Sequence, residues 1–165
     1  MRSNTGFSLM ELMIVIAIIA IAATVAIPNM IGSRGDAQFR GATDNLVGDL
    51  SLAKWNAVRE NGWVVIRFES DGYQLFSDNG AGGNNGNWTL DGDERLIRSR
   101  QLPAGVTVDL GSTDFNGTLC SGNPCTRYNE RGLLDPNCTG SAVHSSAKGD
   151  TRQININRLG RINVN

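Results

Sequence analysis

The chain has 165 residues, of which 19% are charged, and its formal net charge is −1 at neutral pH. This length suffices to bury the core of one domain, and the near-neutral balance excludes a protein that binds nucleic acid or anionic membranes through its overall field. The composition is uneven, because residues 12–23 include no polar side chain whereas residues 71–92 are rich in glycine, asparagine and aspartate. The two segments are therefore expected to meet different solvents.

The first predicted element is an apolar helix over residues 7–27. This run of 21 residues is interrupted only by Ser8, Glu11 and Thr24. At about 1.5 Å per residue, a helix of this length extends about 30 Å, which is the thickness of a bilayer core. The segment therefore predicts a transmembrane helix.

A cleaved secretory signal is the alternative interpretation of this segment. Arg2 would supply the basic start of such a signal, and Ala20-Ile21-Ala22 resembles its cleavage site. The apolar run continues past that site, however, and Glu11 places a carboxylate in its first helical turns. Such a charge costs about 2.5 to 3.5 kcal/mol at the membrane centre and less near the end, so Glu11 requires either a position at the interface or a partner.

A second, amphipathic stretch of helix is predicted over residues 28–62. Small and apolar residues recur there at three- and four-residue spacing, namely Phe39, Ala42, Leu46, Leu50, Ala53 and Ala57. This spacing places them on one helical face, and Asn61-Gly62 is a typical helix end. The stripe is too short and alanine-rich for a coiled coil, so we expect it to pack on a β-sheet of the same chain.

Beyond Gly62 the pattern changes to that of β-strands. Residues 63–69 and 73–76 flank the turn signal Asp71-Gly72 and predict a hairpin. Further strands are predicted over residues 95–102, 106–110, 126–129, 141–146, 152–157 and 161–165. Short strands without intervening helices predict antiparallel sheets. The expected fold class is therefore α+β, with a long N-terminal helix, transmembrane and then amphipathic, packed on an antiparallel β-sandwich or meander head over residues 63–165.

Three cysteines, Cys120, Cys125 and Cys138, fall within 19 residues in a loop-like stretch. A structural zinc site normally needs four cysteine or histidine ligands, often in close pairs, and this chain has one histidine and no CxxC motif, so we expect no metal site. Outside the cytoplasm, two cysteines would form a disulfide. Cys120 with Cys125 is favoured, because the intervening Ser-Gly-Asn-Pro can turn tightly enough to bring the Cα atoms within about 4.4 to 6.8 Å. Cys125 with Cys138 is the alternative pairing.

The N-terminal segment carries a specific resemblance. The string Gly6-Phe7-Ser8-Leu9-Met10-Glu11-Leu12, followed by the apolar run and Pro28, resembles the class III signal of type IV prepilins and pseudopilins. The resemblance implies a leader of residues 1–6, cleavage by a prepilin peptidase between Gly6 and Phe7, and methylation of the new amino-terminal Phe7. Glu11 and Pro28 match family positions and are expected assembly residues, because the family glutamate pairs with the free amine of a neighbouring subunit.

The same resemblance implies a location and a set of partners. The chain would be a single-pass protein of the bacterial inner membrane, with its head in the periplasm or on a cell-surface filament. Its partners would be other pilin or pseudopilin subunits, the prepilin peptidase and the inner membrane.

Later segments resemble the GspH/FimT family of minor pseudopilins. The matching segments follow the family order and are residues 46–65, 76–79, 91–94, 102–106, 154–156 and 160–164. The resemblance implies a helix followed by two β-sheets. It also implies a structural function, as a low-abundance subunit that assembles into or primes a type IV pilus or a type II secretion pseudopilus.

Catalytic and metal-binding patterns are weak in this sequence. The chain has one histidine, His144, which we interpret as a surface strand residue, and it has no GxSxG, HExxH or P-loop motif, so neither an enzymatic activity nor a cofactor is expected. Residues 77–93 carry oxygen ligands of the type that calcium prefers, but Gly92 occupies the place where an EF-hand requires a bidentate glutamate. We interpret this segment as a flexible loop.

A pilus-tip receptor for DNA is the alternative function. Arginines accumulate in the last third of the chain, and some FimT-type proteins bind DNA through arginines near the C-terminus in a Gly-Arg-x-Arg pattern. In this chain Gly160-Arg161 is followed by Ile162-Asn163, so the second arginine is absent. The residues that would contact DNA in this alternative are Arg152, Arg158 and Arg161, aligned along extended strands. Otherwise these arginines solvate the strands and turns that carry them.

Overall fold

The computed structural model describes residues 7–80, 86–115, 120 and 122–165, and the side chains of residues 25–31 lie outside the description. The described residues form a helix, eight strands and one 3₁₀ turn. In chain order these are α1 (Leu9–Glu60), β1 (Trp63–Glu69), β2 (Gly72–Asp78), β3 (Leu96–Gln101), β4 (Val106–Val108), β5 (Cys125–Tyr128), the 3₁₀ turn (Pro136–Cys138), β6 (Gly140–Ser146), β7 (Thr151–Ile156) and β8 (Ile162–Val164).

The chain divides into two compact units, Met1–Ala37 and Gln38–Asn165. In the first unit the large apolar side chains from Phe7 to Ile21 are all exposed, with Phe7 82% and Ile21 71% accessible. Within the described residues, no stretch of helix combines the length and the hydropathy needed to cross a membrane.

The second unit contains two four-stranded antiparallel sheets. Their strand orders are β3-β2-β1-β5 and β4-β6-β7-β8. Every strand predicted from the sequence is present, and each end lies within two residues of its prediction. The β1–β2 hairpin turns at the predicted Asp71-Gly72, where a Cβ atom on Gly72 would overlap the backbone carbonyl oxygen of Arg100 in the neighbouring strand. Glycine is therefore required at this close approach.

The amphipathic part of α1 ends where the sequence predicts. Asn61 has a φ of 51°, and the N–H of Gly62 donates to the carbonyl oxygen of Ala57 at 3.1 Å. The N–H of Asn61 donates to the carbonyl oxygen of Val58 at 3.4 Å. This pair of bonds is a Schellman motif, which satisfies the last carbonyl groups of the helix and turns the chain into β1.

The predicted apolar stripe of α1 is buried in the head. Leu46, Leu50, Ala53 and Ala57 pack in one cluster with side chains from both sheets, including Ile66 of the first and Ile154 of the second. Phe39 and Ala42 pack separately on Val106. The expectation of an α+β fold with the helix on antiparallel sheets is confirmed.

A buried carboxylate connects α1 to the first sheet. Asp49, which is 3% exposed, accepts hydrogen bonds from the Tyr73 hydroxyl at 2.8 Å, from Arg98 Nη1 at 2.7 Å and from Arg100 Nε at 2.8 Å. Burial, with the hydrogen bond to Asp49, raises the pKa of Tyr73, so its hydroxyl stays a donor. A buried carboxylate is tolerated when charge and hydrogen bonds compensate its lost hydration, as these three donors do.

Replacing Asp49 by alanine should lower the free energy of unfolding by about 2 to 4 kcal/mol, because the Tyr73 hydroxyl loses its acceptor and two arginines lose their anion. Urea unfolding of the fragment Gln38–Asn165 measures the change. Asp44→Ala, which removes an exposed carboxylate from the same helix, is the control and should shift stability by less than about 0.5 kcal/mol. Equal urea midpoints for Asp49→Ala and Asp44→Ala would contradict the assignment.

His144 does not lie on the surface, contrary to the expectation from the sequence. We expected a surface strand residue, but the side chain is fully buried in β6, on the sheet face that it shares with the core residue Ala142. In the described part of the chain neither ring nitrogen has a hydrogen-bond partner. Burial lowers the pKa of His144 from 6.5 to about 4, because the charged ring cannot be hydrated.

The burial of His144 predicts a pH-dependent stability. Between pH 6.5 and about 4 the unfolded chain binds a proton at His144 that the folded chain does not. Stability is therefore complete above pH 6.5 and should fall by an amount on the order of 3 kcal/mol as the pH is lowered through this window. Urea unfolding of the wild-type and His144→Leu fragments Gln38–Asn165 measures the effect. Their free energies of unfolding should depend on pH with different slopes over that range. Parallel pH profiles of the two proteins would show that His144 is not the group responsible.

Candidate functional site

The N-terminal end of α1 carries the expected processing and assembly residues. Phe7 is the first described residue, whereas Gly6 lies outside the described residues and Pro28 is a helical residue whose side chain is not described. Ser8 caps the helix, because the N–H of Glu11 donates to Ser8 Oγ at 3.4 Å and to the Ser8 carbonyl oxygen at 3.1 Å. The Glu11 side chain is exposed, and no basic side chain of the described residues pairs with it.

The cysteines form the favoured pairing. Cys120 and Cys125 are joined by a disulfide with a Cα–Cα distance of 6.1 Å, and Cys138 is a buried free thiol. All three lie in a cluster on the face of β1 that points away from α1, together with Val65 and Trp88. Burial raises the pKa of Cys138 to about 11, so it is protonated at neutral pH. The disulfide fixes the loop before β5 to the first sheet.

The segment 77–93 is organised by carboxylates that accept backbone hydrogen bonds. Asp78 is fully buried and accepts from the N–H of Gly86 at 2.8 Å and of Trp88 at 3.1 Å. Glu94 accepts from the N–H of Gly80 at 2.9 Å and of Asp91 at 3.2 Å. Residues 81–85 lie outside the described residues. The described residues show no cluster of three or more histidine, cysteine, aspartate or glutamate side chains that could hold a metal.

Arg127 holds the same segment against the first sheet. Its guanidinium carbon lies 4.0 Å from the centre of the Trp63 ring and 3.9 Å from that of Trp88, between the two indoles. The guanidinium also pairs with Asp135 at 3.0 Å and with Asp78 at 3.7 Å. From the sequence alone, Arg127 is only one of the arginines that accumulate in the last third of the chain. Its aromatic partners lie 39 and 64 residues away, so no local pattern predicts these contacts. The described ends of the loop are therefore tied down rather than free.

The arginines of the DNA-binding alternative do not form a row along strands. Arg152 is half-buried in β7, but Arg158 and Arg161 lie in the turn between β7 and β8. The predicted alignment along extended strands is therefore wrong. The Asn157 side chain builds the turn by accepting from the N–H of Leu159 at 3.1 Å and of Arg161 at 3.0 Å.

A groove lies between α1 and the β7–β8 turn. It encloses about 630 Å³, and the residues that line it include Val47, Lys54, Trp55, Val58, Gly160 and Ile162. Trp55 is 74% exposed, and a second depression follows on its other side, lined by Leu52 and Arg59 among others. No motif in the sequence predicts this groove. The available signal was a tryptophan placed between Ala53 and Ala57, out of phase with the buried stripe.

Two family models match the chain. One, described as the prokaryotic N-terminal methylation motif, matches residues 1–27. The other, described as type II transport protein GspH, matches residues 42–160. No individually curated protein matches the chain.

Among solved structures, the chain is similar to the type IV minor pilin FimU of Pseudomonas aeruginosa. One crystal form gives a TM-score of 0.56 at 16% identity, over 79% of this chain and 90% of the FimU chain. A second crystal form gives a TM-score of 0.52 at 16% identity, over 76% of this chain and 91% of that one. At this identity the likeness shows the fold.

The family match extends over most of the chain and includes the helix-to-sheet passage, the whole first sheet and three strands of the second. The likeness to FimU independently supports the order of a helix followed by antiparallel sheets. The comparisons bring no support for the DNA-receptor alternative. The chain is therefore a structural subunit of the minor pilin and pseudopilin class and belongs to the GspH family of type II transport proteins.

Proposed function

We propose that the chain is made as a prepilin, is anchored in the inner membrane by residues 7–27, and is drawn from there into a filament as a low-abundance subunit. The observation that carries the proposal is the row of exposed apolar side chains over residues 7–21, which contains a single carboxylate, Glu11, one turn from its start. The match of residues 1–27 to the methylation motif supports the same conclusion.

The exposed apolar row requires a non-aqueous neighbour. Burying one leucine or isoleucine side chain is worth about 1.5 to 3 kcal/mol, and eleven large apolar residues from Phe7 to Ile21 are exposed in the isolated chain. A bilayer meets this requirement before assembly, and the helices of other subunits meet it afterwards. The same segment thus serves for storage in the membrane and for packing in the filament.

Glu11 supplies the selectivity of assembly in this proposal. Its carboxylate has no cationic partner among the described residues, and in an apolar bundle it needs one. Cleavage after Gly6 creates an amine at Phe7, so a neighbouring processed subunit offers a positive charge within the same apolar layer. An unprocessed neighbour would present the leader instead.

We propose the domain organisation given by the sequence: a leader at residues 1–6, the membrane and filament-core helix at 7–27, the helical extension at 28–62 and the head at 63–165. The other subunits of the filament and a prepilin peptidase are its partners. We propose no reaction for the head. The function of the subunit is structural and depends on its contacts with these partners.

Processing is tested by the intact mass of the protein extracted from membranes of its natural host. The expected mass lacks residues 1–6 and carries one added methyl group, because cleavage between Gly6 and Phe7 exposes the amine that is methylated. A Gly6→Leu variant, which alters the cleaved bond, should keep its leader. Retention of Met1 in the wild type, or cleavage near Ala22, would contradict the proposal.

The assembly function of Glu11 is tested by Glu11→Gln, since glutamine keeps the hydrogen-bonding capacity of this first-turn position and removes the charge. The variant should insert into membranes as the wild type does, while its content in sheared filaments falls about tenfold or more. Thr24→Val, which removes a polar group from the same run without a change of charge, is the control. Equal filament content of Glu11→Gln and the wild type would show that Glu11 only reaches the membrane interface.

A further inference from the structure

The side of α1 that faces away from the sheets carries an exposed tryptophan. Trp55 is 74% exposed, while Ala53 and Ala57 on either side of it are fully buried. Val58, one turn further along, is 45% exposed and borders the same two depressions. A large aromatic side chain left in water between two depressions is typical of an interaction surface, because burying it on a partner yields more free energy than burying any other side chain nearby.

The groove beside Trp55 has fixed walls. Lys54 Nζ donates to the carbonyl oxygen of Leu159 at 3.2 Å, which connects α1 to the β7–β8 turn. A Cβ atom on Gly160 would lie 2.9 Å from the carbonyl oxygen of Gly132, and one on Gly132 would lie 3.0 Å from Lys54 Cε. The turn therefore approaches the backbone of the loop after β5 closely, and the Lys54 side chain of the helix packs against both. A groove formed in this way is preorganised, so a partner does not have to order it.

The rim of the groove is cationic. Lys54 lines the groove and Arg59 lines the second depression, while Arg158 and Arg161 flank Gly160 at its wall and Arg131 precedes Gly132, which contacts Lys54. Arg59 pairs with Glu60 at 3.1 Å and Arg131 with Glu130 at 3.9 Å, whereas among the described residues no ion pair involves Arg158 or Arg161. The whole chain has a net charge of −1, so the positive charge is local. Complementarity then requires an acidic partner.

We propose that the Trp55 groove is the docking surface for a different pilin-like subunit, which places an apolar side chain against Trp55 and carboxylates against Arg158 and Arg161. The proposal rests on the proposed function, since it names the contact by which this subunit joins its neighbour through the head. A twofold contact between two copies of this chain would bring both cationic rims together, and a low-abundance subunit meets mostly other subunits in a filament, so the partner is another chain.

The test uses the full chain in lipid nanodiscs, which avoids free detergent in the groove. The probes are the other purified pilin-like subunits of the same bacterium, added one at a time, with Kd measured at low and moderate salt. One of these subunits should bind.

Trp55→Ala should raise the Kd for that subunit about thirtyfold, as expected for an anchor residue at an interface. Leu96→Ala is the matched control, because Leu96 is an exposed apolar residue of β3 outside the groove, and it should change Kd less than about twofold.

A second experiment tests the charges with the double variant Arg158→Ala, Arg161→Ala, which should weaken binding and reduce its salt dependence. Arg40→Ala is its control, because Arg40 is an exposed cation of α1 that lies more than a full turn before the groove. Thermal unfolding of each variant confirms the fold. The proposal would be overturned if Trp55→Ala and Leu96→Ala changed Kd equally. It would also be overturned if no subunit bound, or if the chain bound only to itself. The intact mass of the same samples separates the two hypotheses. If the chain is processed but its Kd for the partner is unchanged by the groove variants, only the docking surface is refuted. If the chain is not processed, the proposed function is refuted.

Discussion

The arrangement of the head depends on one buried charge. Asp49 lies on the helix face that meets the first sheet, with only 4% of its side chain accessible, and it is compensated by a tyrosine and two arginines from β2 and β3. Removing hydration from a carboxylate costs several kcal/mol unless such partners are in place, so any other rotation of α1 about its axis would leave a buried charge unpaired. The hydrogen bonds of Asp49, together with the buried apolar stripe, therefore determine which side of the helix points outward.

That rotation has a consequence for assembly. Trp55 lies six residues beyond Asp49, which corresponds to about 240° around the helix axis, and so it points away from the sheets. The alanines at 53 and 57 let the helix approach the sheet closely, while the aromatic residue between them is left in solvent. A filament subunit needs both properties in one helix, because it must hold its own head and also offer a surface to its neighbours. The apolar row of the first unit and the groove of the second provide such surfaces independently.

The sequence predicts the elements well and the long-range contacts poorly. Strands were identifiable because alternation and turn residues such as Asp71-Gly72 are local signals, and the end of α1 follows from Asn61-Gly62. The contacts of Asp49 and Arg127 could not be predicted in this way, since the partners of Asp49 and the aromatic partners of Arg127 lie more than 20 residues away, and charges on a helix or strand are ordinarily solvated. His144 was assigned to the surface because a lone histidine usually is exposed, and β6 turned out to present it to the core. Arg158 and Arg161 likewise lie in the turn that follows Asn157 and are not aligned along a strand with Arg152.

The chain is a structural subunit of the minor pilin and pseudopilin class. The most direct measurement is the absolute copy number of the chain in filaments purified from its natural host, obtained with isotope-labelled peptides of the head and compared with the most abundant pilin-like subunit. The head peptides should be present in the purified filaments, in far fewer copies than those of that subunit. Complete retention of the chain in the membrane fraction, or a copy number equal to that of the main subunit, would contradict it.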